Sequence, residues 1–275
     1  MEDGYLLKLM YITNNVDVAK IAENSGVDRI FVDLEVIGKK ERQGGMDTVQ
    51  SNHNFDDIKK IKNSINKSEL LVRSNPIHYN SEEEINNIVN NGADIIMLPY
   101  FKTTKEVEQF INLVNGRCKT MLLVETAESV KSIDEILDID GIDEIHIGLN
   151  DLHLDYKMKF MFELLVDGTV EYLCNKFKNK NIPYGFGGIA GIGEGTLPAE
   201  NIIQEHYRLG STRAILSRSF CNTDKIKDLN KINEIFTTGL RKIRDFENKM
   251  NELDFEENKI LIKEIVEDIV YNKSI

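Results

Sequence analysis

The chain has 275 residues, of which 41% are hydrophobic and 29% are charged, and its formal net charge is -12. A chain of this length can bury a sizeable core, and its composition is that of a globular protein. The acidic balance disfavours a general surface for nucleic acid or for anionic membranes. We expect neither kind of partner.

The cysteines and the apolar runs point to the cellular compartment. Three widely spaced cysteines without a CxxC pair are typical of reduced intracellular thiols. We find no signal-like start and no apolar run long enough to cross a bilayer. We therefore expect a cytoplasmic protein.

Short apolar runs alternate with amphipathic segments as far as residue 220, which is typical of β/α units around a parallel sheet. Eight strands with intervening helices predict a TIM barrel rather than an open doubly wound sheet. The predicted strands cover residues 7–13, 29–35, 69–75, 93–100, 119–126, 144–150, 183–189 and 213–220.

The last 52 residues differ in pattern from the rest, because they are strongly charged, helical in period and without a predicted strand. We place a barrel domain over residues 1–223 and a C-terminal helical segment over residues 224–275. Ile260, Ile265 and Ile269 recur at helical spacing. They favour an arm that docks on another subunit, and hence a homo-oligomer. The alternative is a pair of helices packed on the outside of the barrel.

Four residues at predicted strand ends, Arg73, Pro99, Glu125 and Asp151, follow one another at intervals of 26 residues. In a barrel, these ends meet at the face where the βα loops build the active site. Pro99 is assigned to a turn. The three charged residues are expected to be neighbours.

Glu125 and Asp151 end consecutive predicted strands, which lie about 5 Å apart in a parallel sheet. Two carboxylates at this separation repel each other unless a cation lies between them. Mg²⁺ is commonly held by one or two protein carboxylates together with substrate oxygens. We predict that the pair binds Mg²⁺, Mn²⁺ or another divalent cation. The alternative is that one carboxylate caps a helix and the other forms an ordinary salt bridge.

Arg73 supports a site for an anionic substrate, because a guanidinium can bind a carboxylate through two parallel hydrogen bonds and keeps its charge. A 2-oxo acid would contact both the cation and Arg73. The arginine would then stabilise negative charge that grows on the enolate oxygen as a C–C bond breaks or forms.

Seven short motifs follow one another along the chain: VDLE, GKKER, VRSNP, GADIIMLP, LLVETAESV, ILDIDGIDEIHIGLNDL and GFGGIA. Their order resembles that of the HpcH/HpaI aldolase and citrate lyase β-subunit superfamily from about residue 7 to residue 220. The resemblance implies a metal-dependent TIM barrel that makes or cleaves C–C bonds beside pyruvate-like, oxaloacetate-like or acyl-thioester groups. It also implies Glu125 and Asp151 as metal ligands and Arg73 as the partner of the carboxylate or enolate.

The chain departs from both branches of that superfamily at the acid/base positions. Aldolases of the HpaI type place His directly after the Glu of the second-strand motif and Asp shortly before the Gly that precedes strand four. These positions are Val36 and Asn90 here. The citrate lyase branch reads DLED, and Val36 again replaces its last Asp, although Asp33 and Glu35 are kept.

A replacement base is therefore sought near the loop after strand two. His53 and Glu35 are the two candidates, and metal-bound water is a third. A solvated surface histidine is the alternative interpretation of His53. Arg42 and Gln43 are candidate contacts to substrate oxygens, with solvent-facing side chains as the alternative. The other histidines show no metal-ligand spacing and are interpreted as structural or surface groups: His78, His146, His153 and His206.

The glycine-rich run at strand seven offers backbone N–H groups to an anion, and barrels often bind phosphate near loops seven and eight. Gly187 and Gly188 are candidate substrate contacts. Tight turns and close packing are the alternative explanation. Ser217 and Arg218 would support a phosphate site if both side chains faced the barrel mouth.

The sequence predicts a metal-dependent lyase of the class II aldolase type that acts on a small 2-oxo acid and an aldehyde. One alternative is a citrate-lyase-like or malyl-CoA-lyase-like enzyme for acyl thioesters. The other alternative is a non-catalytic barrel that binds a metal and a ligand.

Overall fold

A computed structural model describes residues 6–38, 53–251 and 254–272. Eight parallel strands form a closed barrel in chain order, and the last strand pairs with the first. The predicted TIM barrel is therefore confirmed. The strands are β1 (Lys8–Ile12), β2 (Arg29–Asp33), β3 (Glu69–Arg73), β4 (Ile95–Leu98), β5 (Lys119–Val124), β6 (Glu144–Ile147), β7 (Tyr184–Ile189) and β8 (Arg213–Leu216).

Helices of the described ranges follow the strands and cover the outside of the barrel. Their starts use the expected caps: the side chain of Asn15 accepts from the backbone N–H groups of Asp17 and Val18. They are α1 (Val16–Ser25), α2 (Phe55–Lys62), α3 (Ser81–Asn90), α4 (Thr104–Val114), α5 (Ala127–Lys131), α6 (Ile133–Ile136), α7 (Leu149–Asp155), α8 (Glu163–Val166), α9 (Thr169–Asn179), α10 (Ala199–Arg208), α11 (Leu229–Glu247) and α12 (Phe255–Asn272).

Charged side chains close the N-terminal end of the barrel interior. The fully buried Arg29 donates two hydrogen bonds to Glu144, at 2.6 and 2.7 Å, and one to Glu69 at 2.9 Å. Arg213 donates to the same Glu144 at 2.6 Å. The next layer towards the C-terminal ends of the strands is apolar: Met10, Phe31, Leu71, Ile95, Met97, Met121 and Leu123. The polar groups at the strand ends therefore rest on a packed floor.

Every predicted strand is longer than the observed one, and the predictions for β6 and β8 extend furthest past the observed C-terminal end. β8 ends at Leu216 instead of residue 220, and β6 ends at Ile147 instead of residue 150. Gly148 caps α7, so Asp151 lies in the first turn of a helix and not at a strand tip. The apolar residues around Asp151 fit either structure, and the buried Leu149 and Leu152 pack on the helical face.

The two long C-terminal helices pack on the same chain. α11 contacts α1, and its buried Phe236 meets Tyr11 edge to face with ring centroids 4.8 Å apart. α12 contacts α8 and α10 through a buried face that includes Ile262 and Val266. Ile260 is 60% exposed. Docking on another subunit stays a prediction. None of the helices in the described ranges is long and apolar enough to cross a membrane.

Candidate active site

A cavity of about 580 Å³ opens at the C-terminal ends of the strands. Arg73, Glu125 and Asp151, predicted to be neighbours, all line it, and so do His53, Gly187 and Gly188. Barrel enzymes bind their substrates at this face.

A second cavity, of about 630 Å³, lies at the opposite end of the barrel. Four of its charged lining groups are already paired with one another. Lys62 donates to Asp94 at 2.6 Å, and Lys119 donates to Glu69 at 2.7 Å. This arrangement is typical of the stabilising face of a barrel, so we place the chemistry at the other end.

Asp33 and Arg73, at the ends of β2 and β3, form a two-point ion pair. Arg73 Nε donates to Oδ1 of Asp33 at 2.8 Å, and Nη2 donates to Oδ2 at 2.7 Å. Glu35 lies 3.4 Å from the same Nε, and the ring of Phe31 lies below the guanidinium, 5.6 Å from its central carbon. Burial by itself would lower the pKa of Arg73, but the charges of Asp33 and Glu35 raise it above its ordinary value. Arg73 therefore stays charged and fixed.

The Asp33 carboxylate leaves one edge of the guanidinium for a ligand. It occupies the Nε and Nη2 edge. No described residue accepts a hydrogen bond from Nη1, and Arg73 lines the cavity. A substrate oxygen can therefore be bound through Nη1 while Asp33 holds the group in place.

Glu125 follows β5 and is held from two sides. The backbone N–H of Tyr100 donates to its Oε1 at 2.9 Å, and Tyr100 adopts a left-handed φ of 49° at this point. The other oxygen lies against Gly148: a Cβ on that glycine would be 2.7 Å from Oε2. The carboxylate therefore reaches over the end of β6 only because residue 148 has no side chain.

Asp151 is buried in the first turn of α7 and lines the same cavity. The side-chain amide of Asn150 donates to its Oδ1 at 3.2 Å. A backbone N–H orients Glu125 and a side-chain amide orients Asp151. Supporting hydrogen bonds of this kind are typical around carboxylates that bind metals.

The lining of the cavity fits a divalent cation. The described lining residues carry four carboxylates and two guanidinium groups: Asp33, Glu125, Asp151, Asp224, Arg73 and Arg218. A divalent ion would bring their formal charge to neutrality. Oxygen ligands suit Mg²⁺ or Mn²⁺, and two protein carboxylates suffice when water or substrate supplies the rest. Among the described residues, no group of three His, Cys, Asp or Glu side chains forms a complete metal site.

His53 lies at the cavity wall, ahead of α2, with its ring orientation fixed by the backbone. The N–H of Asp33 donates to Nδ1 of His53 at 2.9 Å. Because Nδ1 accepts this bond, the neutral ring carries its proton on Nε2. His53 in this arrangement presents a hydrogen-bond donor.

Glu35 is 1% exposed and is not one of the described residues that line the cavity. Its Oε2 lies 3.4 Å from Nε of Arg73. Arg42 and Gln43, the candidate substrate contacts of the loop, lie outside the described residues.

The β7–β8 side of the cavity carries the glycine-rich run. Gly187 and Gly188 line it, together with Ser217 and Arg218. The pairing of β7 with β8 shifts register between Gly185 and Gly188, which marks a bulge in β7. Gly187 adopts a left-handed φ of 52° in this bulge.

His146 is a cavity residue that sequence reasoning missed. It lies on β6 two residues before Gly148, is 1% exposed and lines the cavity beside Leu123. The sequence interpretation of a structural or surface group was therefore incomplete. The alternation of β6 was the available signal, because Glu144, His146 and Gly148 share the interior face.

A closed α/β barrel with carboxylates and an arginine at its C-terminal strand ends is organised like a barrel enzyme. The chain belongs to the HpcH/HpaI aldolase/citrate lyase family, whose model matches residues 8–161. The predicted family is thus confirmed. Comparison of the sequence with curated proteins found no match.

Solved structures share the fold at low identity. An HpcH/HpaI aldolase from Desulfitobacterium hafniense DCB-2 has 16% identity and a TM-score of 0.62, with 83% of this chain and 93% of that chain covered. An HpcH/HpaI aldolase/citrate lyase family protein from Burkholderia cenocepacia J2315 has 13% identity and a TM-score of 0.63, with 84% and 96% covered. A variant of the citrate synthase SbnG has 16% identity and a TM-score of 0.58, with 89% and 96% covered.

Proposed function

We propose that the protein is a divalent-metal-dependent carbon–carbon lyase of the aldolase type, acting beside a pyruvate-like 2-oxo acid. The observation that carries the proposal is the presence of Arg73, Glu125 and Asp151 in one cavity. Membership of an aldolase and lyase family supports the same reaction class.

Glu125 and Asp151 would hold the cation, which supplies a Lewis acid that polarises the oxygens of a 2-oxo acid when bound. Arg73 faces the developing charge. Its Nη1 donates to the C2 oxygen of the substrate, and Asp33 prevents the guanidinium from turning away. A fixed donor aimed at growing negative charge contributes more than one that must reorient during the reaction.

In the cleavage direction, the hydroxyl at C4 passes its proton to a water molecule in the cavity, the C3–C4 bond breaks, and C4 becomes the carbonyl carbon of an aldehyde. The bonding electron pair passes to C3 and is delocalised onto the C2 oxygen, next to Arg73. A proton then adds to C3 and gives the methyl group of pyruvate. His53 contributes a hydrogen bond from Nε2, whereas Glu35 acts through the position of Arg73.

Solvent deuterium exchange tests the proposal without knowledge of the aldehyde. The purified chain is incubated with pyruvate and Mg²⁺ or Mn²⁺ in D₂O, and loss of the methyl proton signal is followed by NMR. We expect exchange that stops when EDTA is added. A folded protein that binds the cation and pyruvate without any exchange would contradict the lyase and favour a binding function.

A further inference from the structure

His146 closes one side of the cavity floor with a ring that is almost fully buried. Its neighbour across the sheet is Leu123 on β5, and both residues line the cavity. Most of that floor is apolar, and Phe31, Met97 and Ile215 also contribute to it. A histidine is therefore an exception in its layer.

The β7 bulge fixes the tautomer of this histidine. Nε2 of His146 lies 3.1 Å from the backbone carbonyl oxygen of Gly187. A carbonyl oxygen can only accept, so Nε2 carries the ring proton and Nδ1 has a free lone pair. Burial lowers the pKa of His146 to about 4; the hydrogen bond to Gly187 opposes this shift, and the positive charges of Arg213, Arg29 and Arg73 add to it. The ring is neutral at neutral pH.

The lone pair on Nδ1 has no partner in the described part of the chain, and the atom is buried. A buried acceptor without a donor costs about 1–3 kcal/mol, so such groups are rare and call for a ligand or a water. His206 is the other buried histidine with an unpartnered ring nitrogen, at Nε2. Its ring stacks on Phe186, 3.8 Å between centroids, and it is not among the described lining residues.

We propose that His146 is a specificity residue, which accepts a hydrogen bond at Nδ1 from a hydroxyl group of the substrate. The assignment rests on the proposed lyase function, and it identifies the substrate group that contacts the cavity floor at His146. Keto and carboxylate oxygens carry no proton and cannot fill this role. An ammonium group would be disfavoured by the three arginines around the ring. A neutral hydroxyl fits, and the aldol substrate has one at C4.

The test compares a reaction that needs the hydroxyl with one that does not. The first is cleavage of 4-hydroxy-2-oxobutanoate, and the second is deuterium exchange of pyruvate, which has no hydroxyl. In His146→Phe, which keeps an aromatic ring without the nitrogen atoms, we expect the ratio of cleavage kcat/KM to exchange rate to fall about 3- to 10-fold. In His206→Phe, the matched control outside the cavity, the ratio stays at the wild-type value.

Rescue separates recognition from a packing defect. His146→Gln keeps one donor and one acceptor, so the ratio is expected to lie closer to the wild-type value than in His146→Phe. An equal fall of both rates in His146→Phe would overturn the proposal, because it would show a structural role only. Absence of pyruvate exchange in the wild-type protein would instead refute the lyase function itself.

A measurement on the wild-type protein covers the case in which the phenylalanine variant does not fold. Histidine labelled with ¹⁵N is expected to show His146 protonated at Nε2 and unprotonated at Nδ1. Saturating 4-hydroxy-2-oxobutanoate should shift the Nδ1 signal, and 2-oxobutanoate should shift it less. A proton on Nδ1 in the free protein, or equal shifts with both ligands, would overturn the proposal.

Discussion

Asp33 holds Arg73 through two hydrogen bonds of 2.8 and 2.7 Å, so the arginine that faces the cavity is oriented before any ligand arrives. The free edge of the guanidinium is the one that carries Nη1. Substrate recognition by Arg73 therefore depends on a second residue that does not itself contact the substrate in the proposed arrangement.

Arg73→Lys is expected to lower kcat/KM for 2-oxo acid turnover by about 100-fold, because a lysine ammonium cannot bind Asp33 and a substrate oxygen with the same fixed geometry. Asp33→Asn should lower it by about 10-fold through loss of orientation. Asp94→Asn is the control, since it removes a similar two-point contact with Lys62 at the opposite end of the barrel. Equal activity of Asp33→Asn and Asp94→Asn would remove the orienting role.

Glu125→Gln and Asp151→Asn are expected to weaken Mg²⁺ or Mn²⁺ binding at least about 10-fold, since each removes one anionic oxygen donor. Isothermal titration of the metal-free protein measures the affinity, and circular dichroism checks the fold. Asp224→Asn removes the same charge from the cavity lining without touching the proposed ligand pair, and should weaken binding less. Unchanged affinity in both ligand variants would exclude the metal assignment.

Gly148→Ala should displace the Glu125 carboxylate, because the new Cβ would lie 2.7 Å from Oε2 and 2.8 Å from the Glu125 Cβ. We expect weaker metal binding in a folded protein, measured by the same titration. Gly191→Ala is the matched control: its Cβ would also approach a glutamate, but at 3.1 Å and at the end of the exposed Glu194 side chain. Metal affinity that is equal in the two alanine variants would contradict the steric argument.

The buried pair formed by Arg29 and Glu144 predicts acid sensitivity. Burial by itself would raise the pKa of Glu144. The hydrogen bonds from Arg29 and Arg213 outweigh this effect and lower the pKa from 4.5 to about 2. The unfolded chain therefore binds more protons than the folded chain between these values. The pKa shift of Glu144 therefore contributes about 3 kcal/mol to the free energy of unfolding. This contribution is fully present above pH 4.5 and is lost as the pH falls towards 2.

Urea unfolding at pH 5 and at pH 3 measures this loss. Glu144→Gln is expected to be less stable at neutral pH, because it removes the buried carboxylate that both Arg29 and Arg213 contact. The same variant should lose less stability than the wild type between the two pH values. If the variant lost as much unfolding free energy between pH 5 and pH 3 as the wild type, the acid sensitivity would belong to other groups.

The barrel could be predicted from the sequence because each β/α unit repeats a local signal. Alternating apolar runs and capped amphipathic segments fix the order of strands and helices, and parallel closure brings their C-terminal ends together. Arg73 and Glu125 follow from this reasoning directly. Asp151 was placed at the right face for a partly wrong reason, since it lies on a helix that starts where a longer strand was predicted.

Side-chain partners could not be predicted in the same way, because they depend on packing between distant segments. The contact of Asp33 with Arg73 joins residues 40 positions apart, and the contact of His146 with Gly187 joins residues 41 apart. Neither spacing has a signature in the chain. The burial of Glu35 behind Arg73 likewise depends on how two strand ends meet.

The amino-acid sequence by itself determined the fold class, the family and the face of the barrel that carries the polar residues, because periodicity and local motifs set all three. Only the tertiary structure decided that Asp33 orients Arg73 through two hydrogen bonds. The same holds for the space that Gly148 leaves for Glu125 and for the position of His146 at the cavity floor. These relationships arise from close packing across strands, where one missing Cβ or one bulged peptide changes which atoms meet.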